Sequence, residues 1–173
     1  MCEAENKLLG TDYLRRGNRR QRLAAEVLDW LGVDTLIGVE EWVLAGTVPL
    51  DVDLPDSDLD ILLSTQDPQS VRDDLTARFA QMPEFAVWPH GRESGAWCVA
   101  FQTETYPIEF FIHTTAVRDQ RAFQHLVVEY ILLQRHGANF REMIRSLKAS
   151  GLKTEPAFAQ VLGLNGDPYI ALL

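Results

Sequence analysis

The chain has 173 residues, 46% hydrophobic and 24% charged, with a formal net charge of −9. That length fits one compact domain, those proportions argue against wholesale disorder, and no apolar run approaches the ~18 residues of a membrane-crossing helix. Five of the 16 basic residues crowd into one stretch (Arg15, Arg16, Arg19, Arg20, Arg22), leaving 11 (16 − 5) against 25 acids elsewhere; long nucleic acid is disfavoured as a partner, because its phosphates require a broad basic face.

The opening residues, MCEAENKLLG, carry acids and no h-region of a secretory signal. Cys2 and Cys98 stand far apart, neither in a C-x-x-C pair, which suits a reducing cytoplasm. A first helix is predicted from Asn18 to Leu31, with Ala24, Val27, Leu28 and Leu31 on one face and Gly32 as C-cap. Glu41 to Ala45 reads as a strand ending at Gly46, and an Asp- and Pro-rich loop follows. The next strand runs from Ser57 to Leu63. Asp67-Pro68 then opens a helix with Val71, Leu75, Phe79 and Met82 on one stripe. Three strands follow, Phe85–Pro89, Ala96–Gln102 and Tyr106–Ile112, the first two joined by a GRESG turn. From Thr115 the pattern is helical: Ala116–Arg135, a helix from Asn139 to just before Gly151, one from Thr154, and a short one opened by Asp167-Pro168. The four tryptophans, Trp30, Trp42, Trp88 and Trp97, read as core. This order predicts an α+β fold in one domain: a mixed β-sheet with helices on one face over residues 1–114, and a C-terminal helical segment over 115–173.

The chemistry concentrates between Gly46 and Leu63, GTVPLDVDLPDSDLDILL. Residues i and i+2 of a strand share a face, about 6.5–7 Å apart. Asp58 and Asp60 therefore project together, while Leu59, Ile61 and Leu63 face the core. Adjacent ionised carboxylates repel unless a cation lies between them, and Mg²⁺ characteristically joins one or two carboxylates with substrate phosphates. Glu109 is the candidate third carboxylate, on the face opposite Ile108, Phe110 and Ile112; a buried mid-strand acid needs a partner. A solvent-facing Glu109 on an edge strand is the competing reading. Asp56, Asp58, Asp60 and Asp67 match positions 1, 3, 5 and 12 of a calcium loop, but Ile61 stands where that loop needs glycine. His125 and Glu129, at i and i+4, read either as a surface ion pair or as substrate-facing groups.

Gly46-Thr47, a ten-residue gap, Asp58-Leu59-Asp60 on an apolar strand and a later acidic strand together resemble the polymerase-beta-type nucleotidyltransferase superfamily. The whole chain resembles the small bacterial family known as domain of unknown function 4269. The matching pieces are Tyr13-Leu14, Gly17-Asn18, Gln21, Gly46-Thr47-Val48-Pro49, Asp56 to Asp60, Ile108-Glu109-Phe110-Phe111, Gln120, Ala122-Phe123, His125, Glu129 and Leu132-Leu133. The resemblance implies a nucleotidyltransferase-like sheet and a role for each matched position. Gly46, Thr47 and Ser57 would bind the nucleotide. Asp58 and Asp60 would hold Mg²⁺, and Glu109 would bind a second ion or take the proton of an acceptor hydroxyl. A nucleoside monophosphate would pass from a nucleoside triphosphate to a small-molecule or protein hydroxyl. Thr47 replaces the usual serine and Glu109 the usual aspartate. Five aspartates between residues 47 and 63, with no Lys or Arg, require positive charge from elsewhere: Arg118, Arg121 or the Arg15–Arg22 cluster, with His125 a further substrate-facing candidate. The alternatives are a catalytically silent nucleotide- or partner-binding scaffold, as in antitoxin-like relatives, and a metal-dependent phosphohydrolase using the same carboxylates.

Overall fold

The structure, a computed structural model, describes residues 3–173, so Cys2 lies outside it. Two short helices come first, α1 (Glu3–Leu8) and α2 (Asp12–Arg15). Neither was foreseen; at six and four residues they carry no helical stripe to read. Helix α3 (Arg19–Leu31) starts where Asn18 and Gln21 form a reciprocal capping box, and stops where Gly32 turns left-handed at φ 62°. Strands β1 (Val39–Ala45) and β2 (Leu59–Thr65) follow, then α4 (Pro68–Phe79), capped by Asp67 with proline in its first turn. Strands β3 (Ala86–Pro89), β4 (Trp97–Gln102) and β5 (Pro107–His113) complete the sheet. The C-terminal segment contains α5 (Arg121–Ala149), α6 (Thr154–Leu162) and α7 (Pro168–Ala171). Helix α5 is broken at Gly137 (φ 75°, ψ −160°), matching the two helices predicted on either side.

The sheet order is β1-β2-β5-β4-β3. Only the central β2–β5 pair is parallel; the other three pairs are antiparallel. Strand β2 begins two residues later than expected, so Asp58 stands immediately ahead of it.

Strand alternation builds two cores. Leu44, Leu59, Ile61, Leu63, Ile108, Phe110 and Ile112 point to one face and pack with Ala24, Leu28 and Leu31 of α3 and Val71, Leu75 and Phe79 of α4. On the other face, Val43, Ala45 and Leu62 pack with Leu8 of α1, Phe123, Leu126 and Ile144 of α5, and Phe158 of α6. Helices thus cover one face, and the C-terminal segment covers the β1–β2 side of the other. The expectation of four core tryptophans is corrected at two: Trp30 is 56% exposed and Trp88 36%. Trp30 lies on the flank of α3, where Phe79 meets only part of its ring, and Trp88 lies on the edge strand β3. Among the described residues no helix is long and apolar enough to cross a membrane.

Candidate active site

The C-terminal helices leave uncovered the part of their sheet face that carries the carboxylates. Asp60 and Glu109 are direct partners across the parallel β2–β5 pair, so their side chains leave the sheet on the same side. The edge-strand alternative for Glu109 is excluded, because β5 is the middle strand of five. Asp58 adjoins them, and its charge, after burial, is the next cause holding the protonated forms of both Asp60 and Glu109 in favour. The Asp60 carboxyl is pushed up to about 7, by burial first and then by the charges of Asp58, Glu109 and Glu155, with Lys148 opposing. All three acids line a cleft of about 990 Å³, together with Gly46, Thr47 and Ser57.

The start of the loop is shaped around Asp60. Ala45 pairs with Asp60 across β1–β2, and the next residue, Gly46, adopts φ 71°. A Cβ at Gly46 would stand 2.0 Å from the Asp60 Oδ2. Glycine is therefore required here twice, for the backbone conformation and for the carboxylate's approach. Thr47 Oγ1 donates to Ser57 Oγ at 3.4 Å, and Ser57 Oγ accepts from the Leu54 amide at 2.9 Å, so both hydroxyls edge the cleft in fixed positions.

The five loop aspartates do not act as one negative block. Asp51 accepts from Arg145 at 2.9 Å and from the Asn18 side chain at 2.6 Å, with Arg141 3.8 Å away. The buried Asp53 pairs with Arg20, whose guanidinium also lies over the Tyr106 ring. Asp56 is exposed. Only Asp58 and Asp60 line the cleft.

The opposite wall comes from α5 and α6: His125, Glu129, Lys148 and Glu155. A surface ion pair between His125 and Glu129 is corrected by their burial, at 4% and 5% exposed. The face of α5 that carries them turns toward the sheet instead of toward solvent. Burial, with Glu155 adding to it, holds the Glu129 carboxyl well above the ordinary range. Lys148 is also buried, its Nζ donating to the Val52 carbonyl at 2.9 Å. Desolvation lowers its pKa, while the charges of Asp53, Glu129, Asp58 and Glu155 oppose that shift. Sequence reading missed Glu155 and Lys148, since nothing in their neighbourhoods marks them.

Of the arginine candidates, Arg121 lines the cleft, as do Arg92 and Lys153. All three are exposed, forming a basic rim. Arg118 is not among the lining residues; its guanidinium lies 3.7 Å from Glu5. The Arg15–Arg22 cluster does not fold over the cleft either, since Arg15 pairs with Asp29 and Arg20 with Asp53.

Solved structures share this architecture. A Cid1 poly(U) polymerase mutant bound to MgATP matches with a TM-score of 0.55 at 13% identity, over 98% of this chain and 51% of that one. Cid1 in complex with the UTP analogue UMPNPP matches at 0.51 and 14% identity, over 84% and 43%. A cytoplasmic RNA terminal U-transferase matches at 0.51 and 14% identity, over 84% and 41%. The chain thus spans about half or less of the length of these neighbours, and at such identity the likeness is one of fold. No curated protein matches the sequence. The chain's fold is that of the nucleotidyltransferase structures above, and the model of domain of unknown function 4269 matches residues 29–173, so the chain belongs to that family.

Proposed function

We propose that the protein is a Mg²⁺-dependent nucleotidyltransferase that transfers a nucleoside monophosphate from a nucleoside triphosphate to a hydroxyl of a small molecule or protein. One observation carries the reading: Asp60 and Glu109 are paired on neighbouring parallel strands, with Asp58 beside them and the Gly46-Thr47 turn against Asp60. The donor set suits the ion in kind; the ligand atoms of Asp58, Asp60 and Glu109 do not all lie within 4.8 Å of one another, so sharing an ion requires these side chains to rotate toward it. Burial, and then the charge of Asp58, disfavours the ionised forms of Asp60 and Glu109, so these carboxylates are hard oxygen ligands in need of a cation. Asp58, Asp60 and Glu109 are the residues that would hold Mg²⁺, one ion or two. Bound there, Mg²⁺ would neutralise phosphate charge and polarise the phosphoryl oxygens.

The chain's own groups account for the remaining work. The Thr47 and Ser57 hydroxyls orient phosphate oxygens. Arg92, Arg121 and Lys153 at the rim attract the triphosphate and offset the acids below. The acceptor oxygen forms a bond to the α-phosphorus as the bond to the bridging oxygen of the β-phosphate breaks. The pyrophosphate leaves with that electron pair, and the acceptor proton passes to the Glu109 carboxylate while Asp58 and Asp60 hold the ion. A cytoplasmic location is part of the proposal.

Calorimetry with Mg²⁺ and each nucleoside triphosphate tests the reading. Binding is expected to depend on Mg²⁺ and to vanish when Asp58→Asn and Asp60→Asn are combined. Absence of triphosphate binding at every Mg²⁺ concentration would replace the enzyme with a silent scaffold. Pyrophosphate release without any acceptor would replace the transferase with a phosphohydrolase.

A further inference from the structure

The wall facing the aspartates contains a second set of ligating groups. His125 and Glu129 are one helical turn apart on α5, and Glu155 lies in the first turn of α6. One ligand atom from each comes within 4.8 Å of the other two; among the described residues this is the one trio of His, Cys, Asp or Glu side chains that does so. Small side-chain rotations would bring all three to the roughly 2.0–2.2 Å at which nitrogen and carboxylate oxygen bind zinc.

His125 is the second, independent sign. It is 4% exposed, and neither ring nitrogen makes a hydrogen bond of ordinary geometry. The Tyr169 backbone nearby gives the charged ring only weak support, and the Tyr169 ring meets the imidazole edge-on at 6.2 Å. A buried polar atom left unpaired costs roughly 1–3 kcal/mol, so an imidazole with two such nitrogens calls for a partner.

Lys148 does not fill that need. Its charge is divided among Asp53, Asp58, Glu129 and Glu155, and its Nζ is held by the Val52 carbonyl. With Asp53 already paired to Arg20, that ammonium still faces Asp58, Glu129 and Glu155, and it offers nothing to the His125 ring nitrogens.

We propose that His125, Glu129 and Glu155 form a second cation site, distinct from Asp58, Asp60 and Glu109, for a divalent cation of the zinc type. The imidazole selects a borderline cation over Mg²⁺, which prefers oxygen alone. Three protein ligands leave a coordination position free, as in catalytic zinc sites, and all three residues line the cleft. That free position takes a water or a substrate oxygen.

The test needs no nucleotide, so it succeeds or fails independently of the transferase reading. The chain of 173 residues is stripped with chelator, then titrated with Zn²⁺ by calorimetry and with Co²⁺ by visible absorption. With excess Mg²⁺ present to occupy the sheet carboxylates, one equivalent of each is expected, with a Co²⁺ d–d band typical of low coordination number. His125→Ala and Glu155→Gln should each weaken Zn²⁺ binding by at least about 100-fold, since even loss of an outer-shell partner costs roughly 10–100-fold. The Asp58→Asn, Asp60→Asn double variant should keep the site. Circular dichroism checks folding; if His125→Ala unfolds, the half-buried Glu155→Gln decides alone. The proposal is overturned if the wild type takes up no stoichiometric cation, or if binding survives in both ligand variants. Loss of binding in the aspartate double variant also overturns it, by placing the cation on the sheet carboxylates.

Discussion

Asp60→Asn should make the metal-free protein more stable above pH 7 while removing Mg²⁺ binding. Unfolded, the carboxyl titrates at its ordinary 3.8; folded, it is pushed up to about 7 by burial and by neighbouring acids. Between those values the folded state binds more proton than the unfolded state, so stability falls as pH rises through the window. Each tenfold step of proton affinity is worth about 1.4 kcal/mol, and the full rise from 3.8 to about 7 corresponds to roughly 4 kcal/mol lost by pH 8. Asparagine is neutral at every pH and nearly the same shape. At pH 5, where Asp60 is protonated in the folded chain but already ionised in the unfolded one, the variant should lead by only about 1.6 kcal/mol, a few degrees. At pH 8 the variant should melt higher, by several degrees and up to about 15 °C, since one kcal/mol moves a domain of this size by about 2–4 °C. The assay is thermal unfolding of chelator-treated protein at pH 5 and pH 8, then at pH 8 with Mg²⁺. Added Mg²⁺ should raise the wild type and leave the variant unchanged. A variant that melts lower than wild type at pH 8, or higher by the same amount at both pH values, would refute the claim that Asp60 sits unionised among like charges.

Gly46→Ala places a methyl 2.0 Å from Asp60 Oδ2 on a backbone at φ 71°, so the carboxylate must move. Triphosphate-dependent activity should fall by about 100-fold, the usual cost of misplacing a reacting group by about 1 Å; activity within twofold of wild type contradicts the packing argument. Gly137 combines φ 75° with ψ −160°, a region open essentially to glycine alone. Gly137→Ala and Gly137→Asn should both cost roughly 1–3 kcal/mol in urea unfolding, and rescue by asparagine would show an ordinary left-handed turn instead. Lys148→Met removes the hydrogen bond to Val52 and the buried cation among the acids. It should destabilise the chain by roughly 1–3 kcal/mol at pH 8, and a higher melting temperature would show that the ammonium is not needed there.

What the sequence made legible was local. The Gly32 stop and the Asp67-Pro68 start are each decided by two or three adjacent residues, and they stand where they were read; Asn18, read as the first helical residue, is the cap one position ahead of it. The side of the sheet on which Asp60 and Glu109 emerge follows from strand parity, which the flanking Leu59, Ile61, Ile108 and Phe110 fix. Strand pairing was not legible. Nothing in the residues themselves says that β5 lies beside β2, or that β4 and β3 come after it. The i, i+4 spacing of His125 and Glu129 suits a surface pair and a buried cluster equally. Their burial is decided by Phe123 and Leu126 directing that part of α5 onto the sheet.

The electrostatics of the aspartate loop show why such a site resists reading in one dimension. Residues 47 to 63 look hostile to a polyanion because the compensating groups lie elsewhere in the chain. Arg20 comes from α3, and Arg141 and Arg145 from beyond the break in α5. Asp51 and Asp53 are thereby committed to holding the loop against helices on both sides, and they contribute little free charge to the cleft. The acids that remain exposed to a ligand are those set on the sheet, where position is rigid and mutual repulsion is strong. A loop with fewer aspartates would carry less negative charge but would lose its anchors, and the Thr47 and Ser57 hydroxyls would lose the fixed positions that make them useful. The same residue type therefore does opposite jobs a few positions apart. Asp51 and Asp53 are stabilised by guanidinium partners supplied by the fold, whereas Asp58 and Asp60 line the cleft as the proposed Mg²⁺ ligands.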